Sequence, residues 1–216
     1  MTSLSGIRRF TPKDRLFKLV EYLNIYLDME VYAFSACQGA PIKPPGRYFA
    51  TLISKQFSVN VRHAVFLPFP LSFTSTVVQH YEIEFTPAAY ASPTLVKFSS
   101  DRWGEVATMF WNTALVFFYE QHLWWVHKTY GRGPKDRDNW PSIIRFAWLL
   151  RNAAVHHHGA INLTDPKVPP ISWHHLKYDH THAGMKVFGD VMSMADMLIF
   201  MVEMSDELDR LGCPQP

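Results

Sequence analysis

Two sets of residues have types and spacings that could do chemistry. The first is a run of histidines. Seven of the chain's 11 histidines fall between positions 156 and 182: His156, His157, His158, His174, His175, His180 and His182. With Asp179 and Asp190 nearby, imidazole and carboxylate together could hold zinc, nickel or iron. A set drawn from His174, His180 and His182 is the metal-binding alternative. No pair at helical His-x-x-x-His spacing occurs there, and a histidine-rich loop beside a polar cleft accounts for the same residues. The second set is Arg151, Asn152 and His156, within the stretch PSIIRFAWLLRNAAVHHHG at 141–159. Whether these three act together depends on whether they share a face.

The stretch reads as one helix. Pro141 suits its first turn and Gly159 its stop. At about 100° per residue, Arg151, Asn152 and His156 fall on one arc with Arg145 and Trp148. Ile143, Phe146, Ala147, Leu150, Ala153 and Ala154 fill the opposite arc, which is the core face. The three adjacent histidines separate: His157 falls toward the core arc, His158 on its border, and only His156 with the arginines. Asn152 and His156, four apart, can touch. Trp148 could offer a stacking surface on that arc, and Arg145 a second cation. Most of the other tryptophans read as packing.

Other elements must carry this helix. Thr11-Pro12 with Asp14 opens a helix whose apolar spacing runs from Leu16 to Leu27, with a stop near Gly39. A second helical segment is predicted at about 47–66. Tyr81, Ile83 and Phe85 alternate with glutamates, as in a short strand. Ser99-Ser100-Asp101 caps a long helix to about Tyr130, apolar around most of its circumference. The linker that follows, GRGPKDRDN, reads as polar and exposed, with Lys135-Asp136-Arg137 a solvated cluster. Residues 171–178 are predicted to pair with 185–188 as a small β-hairpin. A last helix at about 189–211 carries a methionine stripe that reads as core filler.

Composition bounds the rest. The chain has 216 residues, 48% of them hydrophobic and only 19% charged, which supplies a large core and suits an oligomer. A net charge of +2 excludes a global basic field, so nucleic acid would have to meet a local cluster. Two cysteines, Cys37 and Cys213, make no disulfide scaffold and fit a reducing cytoplasm. No signal peptide or membrane span is read, so a cytoplasmic protein is expected.

The motif helix resembles the HEPN superfamily, whose members carry an Arg and, about four to six residues on, a His near the end of a long helix. The residue after the Arg is usually polar, and here it is Asn152. The resemblance covers about 101–211, where the long helix, the motif helix, an intervening segment and a final apolar helix follow in order. It implies an all-α fold: an HEPN-like up-down bundle of about five helices with irregular insertions and a small β-hairpin. A single domain over 1–216 is expected, with the core at about 101–211, the helix at 11–39 packing on it and an insertion at about 67–99. The implied activity is metal-independent endoribonuclease cleavage by 2′-hydroxyl attack, needing no cofactor. Arg151 would bind the scissile phosphate, His156 would serve as general acid or base, and Asn152 would orient it or touch phosphate. Arg145 and Trp148 are the expected substrate-binding residues. The resemblance further implies RNA as partner, a homodimer through the 141–159 helix with a composite cleft, and a toxin or defence role with an antitoxin protein. A subgroup with a regulatory Tyr two residues after the motif His differs, because this chain has His158 there. A catalytically silent HEPN-like interaction or nucleotide-binding domain is the alternative, and a histidine-cluster metal-binding protein the third.

Overall fold

The computed structural model of the chain describes residues 6–23, 25, 26, 29, 46–57, 59–67, 80–87, 101–188 and 190–215, with backbone alone at 46–51, 53, 60, 62–67 and 101–107. The chain divides into two compact units, residues 1–95 and 96–216, rather than one. Each is considered by itself.

A sheet in the first unit overturns the expected all-α bundle of about five helices. Strands β1 (Gly6–Phe10), β2 (Gly46–Ile53), β3 (Val59–Leu67) and β4 (Tyr81–Pro87) form one antiparallel sheet in the order β1-β4-β3-β2. The fold is therefore mixed α and β. The helix predicted over 47–66 is the hairpin β2–β3, with Leu52 opposite Val61, both buried. Its residues are rich in β-branched and aromatic types, which suit a pleated surface. At the turn, the Ser54 hydroxyl accepts the N–H groups of Gln56 (3.2 Å) and Phe57 (2.8 Å). The decisive partner is non-local: β3 also pairs with β4, as in Val61 opposite Phe85.

The strand read from Tyr81, Ile83 and Phe85 is β4, and those three side chains are buried in strict alternation. β1 was not foreseen. It is held at the sheet edge with Arg9 opposite Glu82, joined by a 2.8 Å ion pair. Helical backbone over 17–23 packs on the sheet, with Leu16, Val20 and Leu23 buried and the Phe17 ring 5.4 Å from Tyr81. The helix starts at 17 rather than at the expected Pro12: residues 12–16 form turns, and the Asp14 carboxylate accepts the N–H (2.6 Å) and the hydroxyl (2.8 Å) of Thr11, one half of the expected box. The expected helix stop at Gly39, the Ser99-Ser100 cap and most of the insertion at 67–99 lie outside the described residues.

The described residues of the second unit hold three α-helices: α1 (Asp101–Tyr130), α2 (Ser142–His156) and α3 (Met194–Arg210). α1 buries Trp111, Leu115, Phe118 and Val126, while Met109, Phe117 and Trp124 are exposed on its other side. α3 begins about five residues after its predicted start, at a full capping box: Ser193 and Asp196 exchange hydrogen bonds, including Ser193 N–H to Asp196 Oδ2 at 2.8 Å. Its methionines Met197, Met201 and Met204 are core. The predicted hairpin exists with a different partner. It is formed by β5 (Ile171–Trp173) and β6 (Leu176–Tyr178), turning at His174-His175, because Ile171, Trp173 and Tyr178 find a buried surface on α2. Residues 185–188 instead make two isolated bridges, Lys186 with Ala160 and Phe188 with Met192. Phe146 of α2 sits at the centre, its ring 5.5 to 5.8 Å from those of Phe200, Trp173 and Tyr178. Glu203 of α3 clamps the hairpin by accepting from Trp173 Nε1 (2.8 Å) and His174 Nε2 (2.8 Å). Among the described residues no helix is long and apolar enough to cross a membrane.

Candidate functional site

α2 ends where its sequence says it should. The Gly159 N–H, from a residue at φ +84°, donates back to the Ala153 carbonyl at 2.8 Å. That termination leaves His156 in the last helical position with its ring turned to Arg151. Arg151 Nη1 donates to His156 Nε2 at 2.9 Å and to Asn152 Oδ1 at 3.1 Å. Because a guanidinium only donates, His156 Nε2 carries its lone pair in this contact. His156 is exposed, and Arg151 and Asn152 are half-buried. The structure thus brings Arg151, Asn152 and His156 into one cluster. His157 is half-buried at the helix cap, not in the core, and its Nε2 accepts from Asn162 Nδ2 at 3.0 Å. His158 is exposed at φ 51°.

The fourth member came without a signal in the sequence. Glu120 of α1 accepts from Arg151 Nε at 2.7 Å and lies 2.6 Å from Nη2. It stands 31 positions before its partner, on a helix whose polar residues gave no motif. Counting Asn152 and His156, four of the five guanidinium N–H groups have a partner within the chain. Tyr119 adjoins Glu120 in sequence, and its hydroxyl is buried without a hydrogen-bond partner. Burial holds that phenol far above its ordinary acidity range, with Glu120 adding to the effect, so it stays protonated.

Arg145 and Trp148 lie elsewhere on α2. They line a cleft of about 350 Å³ bounded by the short 3-10 helix Asp136–Asn139, the first half of α2 and the loop at 165–171. Arg151, Asn152 and His156 are not part of its wall. Arg145 Nη2 donates to the Pro169 carbonyl at 3.3 Å and lies 3.6 Å from Asp138 Oδ1. Arg137, read as a solvated charge, instead lies over the Trp148 ring at 4.5 Å. The linker can fold this way because Asp136 turns back: its Oδ2 accepts the Gly133 N–H at 2.7 Å. A Cβ at Gly131 would come within 2.5 Å of that oxygen, so the position, at φ +89°, has room only for glycine.

The histidine alternative is dispersed. His174 is taken by Glu203, His182 Nδ1 lies 2.9 Å from Asp179, and His180 is exposed. Among the described residues no group of three His, Cys, Asp or Glu is placed to hold a metal ion. Asp179 is instead the cap of the 3-10 turn His180–His182. Hydrogen bonds from the Thr181 hydroxyl (2.6 Å) and N–H (2.9 Å), then from His182, hold its carboxyl down at about 2. The native value lies below the ordinary 3.8, so this cap contributes its stability above 3.8 and loses it as pH falls toward 2. Thr181→Val is expected to move the Asp179 titration upward toward 3.8, read by carboxyl carbon NMR shifts against pH. An unmoved titration would show that the hydroxyl is not the cause.

Compared with family models, with curated proteins and with solved structures, the chain matches none.

Proposed function

We propose that the second unit binds RNA and cleaves it without a metal, at the cluster of Arg151, Asn152 and His156. The observation that carries this reading is the 2.9 Å contact between Arg151 Nη1 and His156 Nε2. It puts a phosphate-binding cation and an acid–base group within reach of one phosphodiester. In the reaction the 2′-hydroxyl attacks the adjacent phosphorus and the 5′-oxygen leaves, giving a cyclic phosphate. His156 moves a proton to or from one of these oxygens, and Arg151 takes the charge that gathers on the phosphoryl oxygens. Asn152 keeps the guanidinium in place. The reading includes a cytoplasmic setting, supported by the absence of any cysteine pair framework in the sequence.

A homodimer through 141–159 belongs to the same proposal. Val155, the neighbour of His156, is 45% exposed, an apolar side chain beside the cluster that a second copy would cover. Light scattering on the purified chain is expected to give twice the monomer mass. A monomer at working concentration removes the composite cleft.

A binding domain without catalysis is the second reading, and Glu120 favours it, because its carboxylate occupies two guanidinium nitrogens a phosphate would need. Incubation with single-stranded RNA in EDTA separates the two: cleavage lost in both Arg151→Ala and His156→Ala supports the enzyme, and an inert wild type supports the binding domain.

A further inference from the structure

The cleft beside α2 has features that the cleavage cluster does not use. Its volume, about 350 Å³, lies in the range of small-ligand pockets, roughly 300–1,000 Å³. Lys135, Arg137, Arg145 and Lys167 line it against only two carboxylates, Asp138 and Asp165. That surplus of two positive charges equals the surplus of the whole chain, so the net charge of +2 is matched by this one concavity.

The aromatic side is as specific. The Arg137 guanidinium lies over the Trp148 ring, its central carbon 4.5 Å from the ring centroid. Guanidinium and indole are both groups on which a nucleobase stacks. Trp140 closes another part of the wall, 4% exposed, and its indole N–H is buried with no acceptor among the described residues. Aromatic rings and excess cations together call for a planar, anionic ligand.

We propose that this cleft is a subsite for one nucleotide, with the base against the Arg137–Trp148 pair and the phosphate among Lys135, Arg145 and Lys167. This deepens the RNA reading above and rests on it for the source of the nucleotide, but it does not need cleavage. Trp148 and the cluster share one helix. At about 1.5 Å rise per residue, Trp148 lies about 4.5 Å along the axis from Arg151 and about 12 Å from His156. A strand on that face would seat one nucleotide in the cleft as a neighbouring phosphodiester meets the Arg–His pair.

The test uses the full-length His156→Ala chain, which keeps RNA intact, and follows tryptophan fluorescence and heat on titration. The probes are adenosine 5′-monophosphate, adenosine, inorganic phosphate and a three-residue oligoadenylate. The monophosphate is expected to bind about tenfold or more tightly than adenosine or phosphate alone, since stacking and charge each contribute. Trp148→Leu and, on the exposed loop, Lys167→Glu are each expected to weaken it about tenfold with the circular dichroism spectrum unchanged. Adenosine binding as tightly as its monophosphate, or binding indifferent to both substitutions, overturns the subsite. Tighter binding of the oligomer than the monophosphate assigns the subsite to a strand, and equal binding assigns it to the free nucleotide. If the monophosphate binds while the wild type leaves RNA uncut in EDTA, the cleft stands and the nuclease reading falls. If RNA is cut and no monophosphate binds, the reverse holds.

Discussion

His156→Ala is expected to slow RNA cleavage in EDTA by about 10²–10⁴-fold, the usual worth of a positioned acid or base. Arg151→Ala is expected to cost about 10²–10³-fold, as for loss of a donor to a developing oxyanion. The losses should not add, because the two side chains already bond each other at 2.9 Å and act on one phosphate. Neither change should unfold the unit: His156 is exposed, and Arg151 is 23% exposed in its side chain. Glu120→Gln is the informative companion. It removes the charge that competes for Arg151, so RNA is expected to bind more tightly and KM to fall. Cleavage at the wild-type rate in both the Arg151→Ala and His156→Ala chains would sink the assignment outright, since no other described group sits in that cluster except Glu120 and Asn152.

The second large effect is on stability. Phe146→Ala is expected to cost about 3–5 kcal/mol, the range for emptying a large buried aromatic site. Phe146 is fully buried and meets the rings of Trp173, Tyr178 and Phe200. Those rings belong to three different elements, so the cavity cannot close by moving one of them. For a unit of this size the loss corresponds to a fall in Tm of about 10–25 °C, measured by calorimetry. Lys177→Ala, exposed on β6, is the control and should stay within about 0.5 kcal/mol. A Phe146→Ala chain melting within a few degrees of wild type would mean that α2 is not the centre of this core. The same substitution loosens β5, whose Ile171 lines the cleft, so nucleotide binding should weaken with it.

The residues Arg151, Asn152 and His156 were legible as a group because helix geometry alone decides it. A proline before Ser142, an apolar arc and a glycine at 159 define α2 from local terms, and the wheel then places His156, not His157, with Arg151. The same local terms account for α1, for the strand β4 and for the methionine-rich α3. Patterns repeated every two or every three to four residues report which face is buried before any partner is known.

Partners were what the sequence could not name. In the segment 47–66 β-branched and aromatic residues lean toward strand, but that lean is weak and names no partner. Pairing with β4 chose the strand, and with it a mixed α and β fold in place of an all-α bundle. Glu120 entered the cluster from another helix, and no spacing along the chain points to it. Arg145 and Trp148 share the arc of Arg151, yet side chains reach for what lies opposite: Asp138 and the Pro169 carbonyl draw Arg145 away, and Arg137 covers Trp148. The sequence by itself determined the motif helix and the face its Arg and His share, because dihedral periodicity is local. Only the tertiary structure decided the sheet, the acidic partner of Arg151 and the separate basic cleft, because each depends on groups brought together across the fold.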